Sequence, residues 1–155
     1  MAAVVVVLDQ VAKALAVREL TGRAPVELIG GLLQLRLVRN PGAAFGLAGG
    51  MTVFFTAVAV VVVIVVVRAS RRLGGVRWAL ALGLLLGGAV GNLVDRVARS
   101  PGVLRGHVVD MFELPHWPVF NVADMAIVSA AALMVLLSAR GEQLDGTRDT
   151  GKRHG

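Results

Sequence analysis

Two acidic residues in the C-terminal half of the chain have the type and surroundings for acid–base chemistry. Asp110 ends the run Val-Val-Asp, and Asp124 ends the run Phe-Asn-Val-Ala-Asp. One continuous helix between them would hold the two carboxylates about 21 Å apart, at a rise of about 1.5 Å per residue. Pro115 and Pro118 prevent such a helix, so a reversal of the chain can bring the carboxylates together. Two carboxylates at one site can share a proton and activate a water molecule.

Each acid also has a purely structural interpretation. Asn121 is a favourable cap for a helix that begins at Val122, and Asp124 then lies in the first turn, where the helix dipole favours an anion. Asp110 can be a solvated loop residue. Taken alone, the two residues do not distinguish an acidic catalytic pair from two carboxylates with local roles.

A second pair of ionisable residues, Asp9 and Lys13, lies inside an apolar N-terminal segment. Their i,i+4 spacing places both on one face of a helix. Ionisable groups within a membrane are costly and often mark function, although a buried pair can also serve only to neutralise two charges. Both interpretations, a neutralising pair and support for a nearby site, predict that this face points into the protein.

Two further clusters combine polar side chains with small residues. Arg39 and Asn40 precede Pro-Gly-Ala-Ala-Phe-Gly, a composition that allows a tight turn and a close backbone approach. Asn92, Asp95 and Arg96 are spaced i, i+3 and i+4, which predicts one polar stripe at the end of a helix. Glycine recurs at every fourth position before this stripe and favours close helix packing. The first cluster can also be a turn without a chemical role, and Arg96 can extend to lipid headgroups.

Other catalytic chemistries find no support in the sequence. The chain has no Cys, and its three His show no metal-ligand spacing. None of the four Ser lies in a Gly-x-Ser-x-Gly elbow, and no phosphate-binding loop occurs. Acidic chemistry therefore remains, and we expect neither a metal nor a cofactor.

The elements that must position these residues are membrane helices. The chain has 155 residues, of which 56% are hydrophobic and 17% are charged, and its mean hydropathy is +0.76. Soluble domains carry about 25% charged residues, so an ordinary soluble domain is excluded. The net charge of +6 comes from Lys and Arg that lie mainly between apolar runs, which does not indicate nucleic-acid binding. Four apolar segments qualify as membrane-spanning helices, namely residues 1–17, 51–67, 78–94 and 122–139.

The distribution of basic residues predicts the orientation of the four helices. Four arginines lie within residues 68–77, and the segment after Ala139 carries further Arg and Lys. By the positive-inside rule both regions and both chain termini are cytoplasmic, and the two long connections lie outside. Residues 1–140 then form one integral membrane domain, and the polar residues 141–155 are expected to form a disordered cytoplasmic tail.

The first outer connection has the pattern of a small sheet. Leu33, Leu35 and Leu37 alternate with other residues at the period of a half-buried strand, and residues 25–29 can form a partner strand across a Gly-Gly turn. A strand-like loop without a role is the alternative. The second outer connection, residues 96–120, contains prolines that exclude a long helix. The predicted fold is an all-α membrane bundle of four transmembrane helices with a small outward-facing β-sheet on the membrane surface.

Five short sequence blocks occur in a fixed order relative to the four apolar segments. Each block alone is a weak indication of a protein family, but the five together are specific. On these blocks the sequence resembles the lipoprotein signal peptidases, the bacterial signal peptidase II family, over residues 8–127. Family members usually have additional residues before the first block, whereas seven residues precede it here. The blocks are Leu8-Asp9-Gln10 with Lys13, Arg39-Asn40-Pro41-Gly42-Ala43-Ala44-Phe45, Gly91-Asn92-Leu93-Val94-Asp95-Arg96, Val108-Val109-Asp110 and Phe120-Asn121-Val122-Ala123-Asp124.

The resemblance implies an aspartyl endopeptidase of the bacterial cytoplasmic (inner) membrane with its active site toward the outer face. Such enzymes remove the signal peptides of prolipoproteins before a diacylglyceryl-modified cysteine, and globomycin inhibits them. Carried over by motif, Asp110 and Asp124 match the catalytic pair. Asp9 and Lys13 match positions that support the fold and the site. The polar residues that match positions holding the pair, or contacting substrate or inhibitor, are Asn40, Asn92, Arg96 and Asn121.

The implied mechanism needs the two acids, a water molecule and the lipidated substrate. The ionised acid, for which Asp124 near a helix N-terminus is the choice, draws a proton from the water that attacks the scissile carbonyl. The protonated Asp110 donates to the carbonyl oxygen. We expect a monomer that contacts membrane lipids, lipidated prolipoproteins and globomycin-type inhibitors but no nucleic acid. The alternative is a small channel or transporter subunit, which needs polar residues through the depth of the spans.

Overall fold

The structure, a computed structural model, describes residues 1–42 and 51–148. Within these ranges the chain forms four α-helices and three β-strands. The helices cover the four predicted apolar segments, and three of them extend beyond the predicted ends. In chain order the elements are α1 Ala2–Leu20, β1 Val26–Ile29, β2 Leu33–Asn40, α2 Met51–Ser70, α3 Val76–Ala98, β3 Val108–Glu113 and α4 Val122–Ala139.

Three of these helices, α2, α3 and α4, are long and apolar enough to cross a membrane. They contain 20, 23 and 18 residues. At a rise of about 1.5 Å per residue, these lengths correspond to about 27–35 Å. Helix α1 has 19 residues but carries Asp9, Lys13, Arg18 and Glu19, and it falls outside this group. By length and composition, the described residues therefore support three of the four predicted spans.

Helix α3 lies at the centre of the bundle and contacts each of the other three helices. Its glycines allow the close approach that their spacing predicts. A Cβ atom on Gly87 would lie 2.6 Å from Cβ of Val5 in α1, and one on Gly88 would lie 2.5 Å from the carbonyl oxygen of Ala123 in α4. Both neighbouring helices therefore pack directly against the α3 backbone.

The three strands form one antiparallel sheet in the order β1-β2-β3. The hairpin of β1 and β2 confirms the strand pair that the leucine alternation predicts, and Gly30 lies at its turn with a φ of +49°. The sequence does not predict β3, because its apolar residues do not alternate with polar ones. Both faces of β3 are covered: Val109 and Met111 pack with Ala16 of α1, and Asp110 faces the helices on the other side.

The two ends of the bundle are closed by different segments. The sheet lies at one end, beside the C-termini of α1 and α3 and the N-terminus of α4. At the other end, residues 141–148 fold back onto the connection between α2 and α3. The backbone N–H of Gly74 donates to the carbonyl oxygen of Leu144 at 3.1 Å, and the indole of Trp78 donates to that of Glu142 at 3.0 Å.

Residues 141–148, the start of the segment for which the polar composition predicts a disordered tail, form a turn. Their polar groups find partners at the connection between α2 and α3. Close approach is possible there because Gly74 has no side chain: a Cβ atom on it would lie 1.8 Å from the carbonyl oxygen of Asp145. Residues 149–155 lie outside the described ranges.

Candidate active site

Asp110 and Asp124 meet at the sheet end of the bundle, on different elements. Asp110 belongs to β3, and Asp124 lies in the first turn of α4. Asn121 contacts both acids: its Nδ2 atom donates to Asp110 Oδ1 at 2.6 Å, and its backbone N–H donates to Asp124 Oδ2 at 3.1 Å. The two acids also line one cavity. The chain reversal that the prolines permit therefore brings the carboxylates into one site.

The N-terminus of α4 positions Asp124. Asn121 Oδ1 accepts from the backbone N–H of Asp124 at 2.9 Å, and this pair of reciprocal bonds is a capping box. The predicted helix cap is thus confirmed. The cap occupies only Oδ2 of Asp124, and Oδ1 accepts from Nδ2 of Asn92 at 2.9 Å. A structural role for Asp124 is therefore compatible with a chemical one.

Strand β2 brings Asn40 to Asp110. Asn40 pairs with Val108 in the register of the sheet, and its Nδ2 atom donates to Asp110 Oδ2 at 3.0 Å. Asn40 Oδ1 accepts from the backbone N–H of Gly42 at 2.8 Å, which fixes the direction of the amide. Each oxygen of Asp110 therefore accepts from one amide. Residues 43–46, the rest of the predicted turn, lie outside the part of the chain that the structure describes.

Burial controls the ionisation of Asp110, which is 2% exposed. Loss of solvent around the carboxylate raises the pKa of Asp110 to about 6, and the nearby charge of Asp124 acts in the same direction. The amide donors of Asn40 and Asn121 and the positive charge of Lys13 favour the ionised form and limit the rise. Asp110 therefore keeps its proton to a higher pH than an ordinary aspartate does.

Arg96 is buried beside the two acids. It is 7% exposed, and its Nη1 atom donates to the carbonyl oxygen of Gly106 at 3.2 Å and to that of Asn40 at 3.4 Å. The interpretation of Arg96 as a headgroup anchor is wrong, because the sheet and the segment before β3 cover this end of α3. Arg96 lines the same cavity as Asp110 and Asp124.

Asp9 and Lys13 belong to a larger buried network. Lys13 Nζ lies 2.8 Å from Asp9 Oδ2 and 2.9 Å from Asp95 Oδ2, and all three side chains are 0% exposed. Lys13 Nζ also donates to Asn92 Oδ1 at 2.9 Å. The pair therefore neutralises its own charges and also reaches a side chain that contacts Asp124.

Two members of this network, Asp95 and Gln10, are not among the site residues that the sequence indicates. Asp95 shares the polar stripe of α3 with Asn92, so its place on that face is the available signal. Gln10 Nε2 donates to Asp9 Oδ2 at 3.1 Å and to the carbonyl oxygen of Gly91 at 3.0 Å, and its place in the block Leu8-Asp9-Gln10 is the available signal. Across the described residues every buried side-chain polar atom has a hydrogen-bond partner.

Two adjoining cavities open beside the acids. The first, of about 280 Å³, contains the polar groups of the site, and the second, of about 330 Å³, lies between α2, α3 and α4. Asn40, Asn92 and Arg96 line both cavities. A polar group and a large apolar group can therefore bind side by side. The apolar residues around the second cavity are Phe55, Val58, Ala59, Val62, Leu85, Ala89, Val108 and Ile127.

The polar groups around the two acids suit proton chemistry. Three amides and one guanidinium surround the carboxylates, and these are groups that donate hydrogen bonds to an anion. Among residues 1–42 and 51–148, no group of three or more His, Asp or Glu side chains could hold a metal ion. The arrangement places two acids, three amides and one guanidinium beside one open cavity.

Comparison with known proteins identifies the family. The family model for signal peptidase (SPase) II matches residues 1–140. A lipoprotein signal peptidase of Rhodococcus jostii is 57% identical over 147 residues, which are 95% of this chain and 74% of that protein. One of Mycolicibacterium smegmatis is 55% identical over 144 residues, 93% of this chain and 61% of that protein. One of Mycobacterium tuberculosis is 49% identical over 153 residues, 99% of this chain and 74% of that protein.

Solved structures share the fold. A bacterial membrane enzyme solved at 2.3 Å resolution superposes with a TM-score of 0.77 at 28% sequence identity, over 98% of this chain and 88% of that one. A second bacterial membrane enzyme, solved at 1.9 Å resolution, has a TM-score of 0.77 at 29% identity over 88% of each chain. With a family match over most of its length and relatives at these identities, the chain belongs to the signal peptidase II family.

Proposed function

We propose that the protein is an aspartyl endopeptidase that removes signal peptides from diacylglyceryl-modified prolipoproteins and cleaves before the lipidated cysteine. The family match and the relatives named lipoprotein signal peptidase support the substrate class. One observation carries the chemistry: Asp110 and Asp124 line one cavity, and Asn121 contacts both. Two carboxylates that interact at one site titrate as a coupled pair and can share one proton.

The surroundings of the two acids give them different roles in the proposed mechanism. Asp124 is the ionised partner, because it lies in the first turn of helix α4, where the helix dipole favours the anion. Asp110 is the protonated partner, because burial raises its pKa to about 6. Asp124 takes a proton from water as the water oxygen bonds to the scissile carbonyl carbon, and Asp110 gives its proton to the carbonyl oxygen.

Collapse of the resulting gem-diol completes the cleavage. The proton on Asp124 passes to the leaving nitrogen as the carbon–nitrogen bond breaks. Asp110 takes back a proton from one hydroxyl as the carbonyl reforms. The products are a carboxylic acid and an amine, and the pair returns to one shared proton.

The two cavities can separate the reacting peptide bond from the apolar part of the substrate. The scissile bond would lie against the acids in the polar cavity of about 280 Å³. The apolar cavity of about 330 Å³ would take an acyl chain or apolar side chains of the signal peptide, which gain by leaving water. Asn40, Asn92 and Arg96 lie at the junction, where they would contact the substrate or a globomycin-type inhibitor.

The proposed placement has four transmembrane helices, α1 included, in a bacterial cytoplasmic membrane. Asp9 and Lys13 are compatible with a spanning α1 because they are buried and paired. Four arginines within residues 68–77 lie at the end opposite to the acids. The positive-inside rule therefore puts that end and both termini in the cytoplasm, with the sheet and the site at the outer face. Residues 1–140 act as one membrane domain and as a monomer without a cofactor.

A channel or transporter subunit has weaker support. A pore needs polar groups through the depth of the spans. In the described residues the buried charged and amide side chains gather toward the sheet end, as the shared contacts of Lys13, Asn92 and Asp124 illustrate.

Cleavage in vitro by the full chain in a lipid bilayer tests the proposed function. The substrates are a lipidated prolipoprotein and the same protein without the diacylglyceryl group, each with and without globomycin. We expect cleavage before the cysteine of the lipidated protein alone, and we expect globomycin to prevent it. Equal cleavage of both substrates would assign a different substrate class.

A further inference from the structure

A buried ion triad, formed by Asp9, Lys13 and Asp95, holds the backbone just before each of the two acids. Asp9 Oδ1 accepts from the backbone N–H of Ala123 at 2.9 Å, one residue before Asp124. Asp95 Oδ2 accepts from the backbone N–H of Val109 at 3.0 Å, one residue before Asp110. Lys13 Nζ lies between the two carboxylates, 2.8 Å from one and 2.9 Å from the other. One ammonium group therefore connects helix α4 to strand β3.

The third contact of Lys13 fixes the direction of the Asn92 amide. A lysine ammonium has three donors and no acceptor, so the atom of Asn92 that faces it must be the oxygen. Asn92 Oδ1 lies 2.9 Å from Lys13 Nζ, and Asn92 Nδ2 is thereby directed to Asp124 Oδ1, also at 2.9 Å. Without the ammonium, this side of Asn92 loses its strongest donor.

The other two amides of the site are oriented by backbone groups. Asn40 Oδ1 accepts from the N–H of Gly42, and Asn121 Oδ1 accepts from the N–H of Asp124. A side-chain substitution cannot remove either donor. The direction of Asn92 is different, because its Oδ1 atom accepts from two side chains: the Lys13 ammonium at 2.9 Å, which is the shorter and charged contact, and Asn121 Nδ2 at 3.2 Å.

The triad does more than neutralise charge. The charges of Asp9 and Lys13 alone would already cancel. The second acid, Asp95, also pairs with Arg99, whose Nε atom lies 2.7 Å from Asp95 Oδ1. Two acidic and two basic side chains therefore sum to zero. Asp9 Oδ1 and Asp95 Oδ2 also accept from the backbone N–H groups of α4 and β3, contacts that a purely neutralising pair would not need.

We propose that Lys13 is a positioning residue: through Asp9 and Asp95 it sets the relative placement of Asp110 and Asp124, and through Asn92 it directs a donor to Asp124. This inference rests on the proposed peptidase function, since it assigns Lys13 a part in the geometry of that site. Lys13 is fully buried and is not among the residues that line the cavity of the two acids.

The test compares Lys13→Met with Arg18→Met in the full chain, using the lipidated prolipoprotein. Arg18→Met is the matched control, because Arg18 lies on the same helix in an exposed ion pair with Glu19. We expect Lys13→Met to lower kcat by about 100-fold, the effect of a small misplacement of reacting groups, with KM changed by less than about threefold. Arg18→Met is expected to leave both constants unchanged. An unchanged kcat for folded Lys13→Met would overturn the proposal.

A double-mutant cycle shows whether Lys13 acts through Asn92. We expect Asn92→Ala to lower kcat by itself and the added Lys13→Met to lower it by much less than in the wild-type background, because both changes remove one shared interaction. Effects that multiply independently would contradict the part assigned to Asn92. Loss of thermal stability without loss of kcat would mean that Lys13 serves the fold alone.

Lys13→Met leaves two buried acids with one basic partner and can fail to fold. The variant Asp9→Asn with Lys13→Gln avoids this difficulty, since Asp95 keeps Arg99 and the network keeps zero net charge. We expect this variant to fold and its kcat to fall by at least about tenfold. This loss is smaller than that expected for Lys13→Met, because the introduced amides can still form hydrogen bonds. A wild-type kcat in this variant would also overturn the proposal. Asp110→Asn is run in parallel: activity in that variant would refute the peptidase mechanism itself, whereas an inactive Asp110→Asn with a fully active Lys13 variant would refute only the positioning role.

Discussion

Polar contacts hold both ends of the bundle, but an ion pair beneath the sheet is sealed from solvent whereas one at the opposite end is exposed. There Asp9 and Lys13 pair at 0% exposure. At the opposite end Arg77 lies 2.6 Å from Glu142, yet the Arg77 side chain is 66% exposed. Removing one partner of a buried pair costs about 3–5 kcal/mol, whereas an exposed pair contributes about 0–1 kcal/mol. The same kind of contact fixes the geometry of a site at one end and fastens a surface turn at the other.

The largest effect is expected from the acids themselves. Asp110→Asn and Asp124→Asn each prevent the sharing of a proton, and we expect each to lower cleavage by about 10³-fold or more. The measurement is the initial rate on a lipidated prolipoprotein. Thermal unfolding of each purified variant serves as the control, because asparagine keeps the shape of the side chain. Substantial cleavage by either folded variant would break the assignment of the pair.

A smaller effect, on stability, is expected from a substitution at the contact between helix α3 and the buried ion triad. In Gly91→Ala the new Cβ atom would lie 2.7 Å from Asp9 Oδ2. We expect a loss of about 1–3 kcal/mol of stability from this overpacking, which outweighs the roughly 1 kcal/mol that alanine gains in helix propensity. Gly31→Ala is the control, since among residues 1–42 and 51–148 no atom other than those of its chain neighbours lies within 4 Å of its Cβ position. Equal melting temperatures in detergent for the two variants would show that the network tolerates displacement.

The pH dependence of cleavage tests the comparison of the two ends, because burial at the sheet end raises the pKa of Asp110. The pKa of Asp110 is about 6, so the pair loses its shared proton as the pH rises through that value. We therefore expect kcat/KM to fall above about pH 6. Asn40 donates to the ionised form of Asp110, so Asn40→Ala is expected to raise the pKa and move this fall to higher pH, by about one pH unit. A shift to lower pH would contradict the role of that hydrogen bond.

The smallest effect is expected at the exposed end. Arg77→Gln removes one partner of Glu142, whose carboxylate also lies 3.9 Å from Arg148. We expect a stability change below about 1 kcal/mol and unchanged cleavage. Thermal unfolding and the initial rate check both expectations. A large loss of activity would mean that the turn at residues 141–148 is coupled to the site, and the contrast between the ends would be lost.

Local sequence patterns predict many of the residues of the site but not how deeply they are buried. The proline-broken connection predicts that Asp110 and Asp124 can meet, and the cap of α4 follows from Asn121 and Asp124 alone. The burial of Arg96 does not follow, because an arginine at a helix end looks the same whether lipid headgroups or a sheet lie beside it. Strand β3 is missed for a related reason: its two faces are covered by different elements, so its residues show no alternation.

The sequence by itself determined the helices, the hairpin, the cap of α4 and the family, because each depends on neighbours along the chain or on motifs in a fixed order. The tertiary structure decided which charges pair. Lys13 and Asn92 are 79 positions apart, and Asp9 and Ala123 are 114 positions apart. No periodicity connects residues at such separations; their contact exists because close packing on the glycines of α3 brings α1 and α4 to the same buried face, where a charge without a partner is too costly to keep.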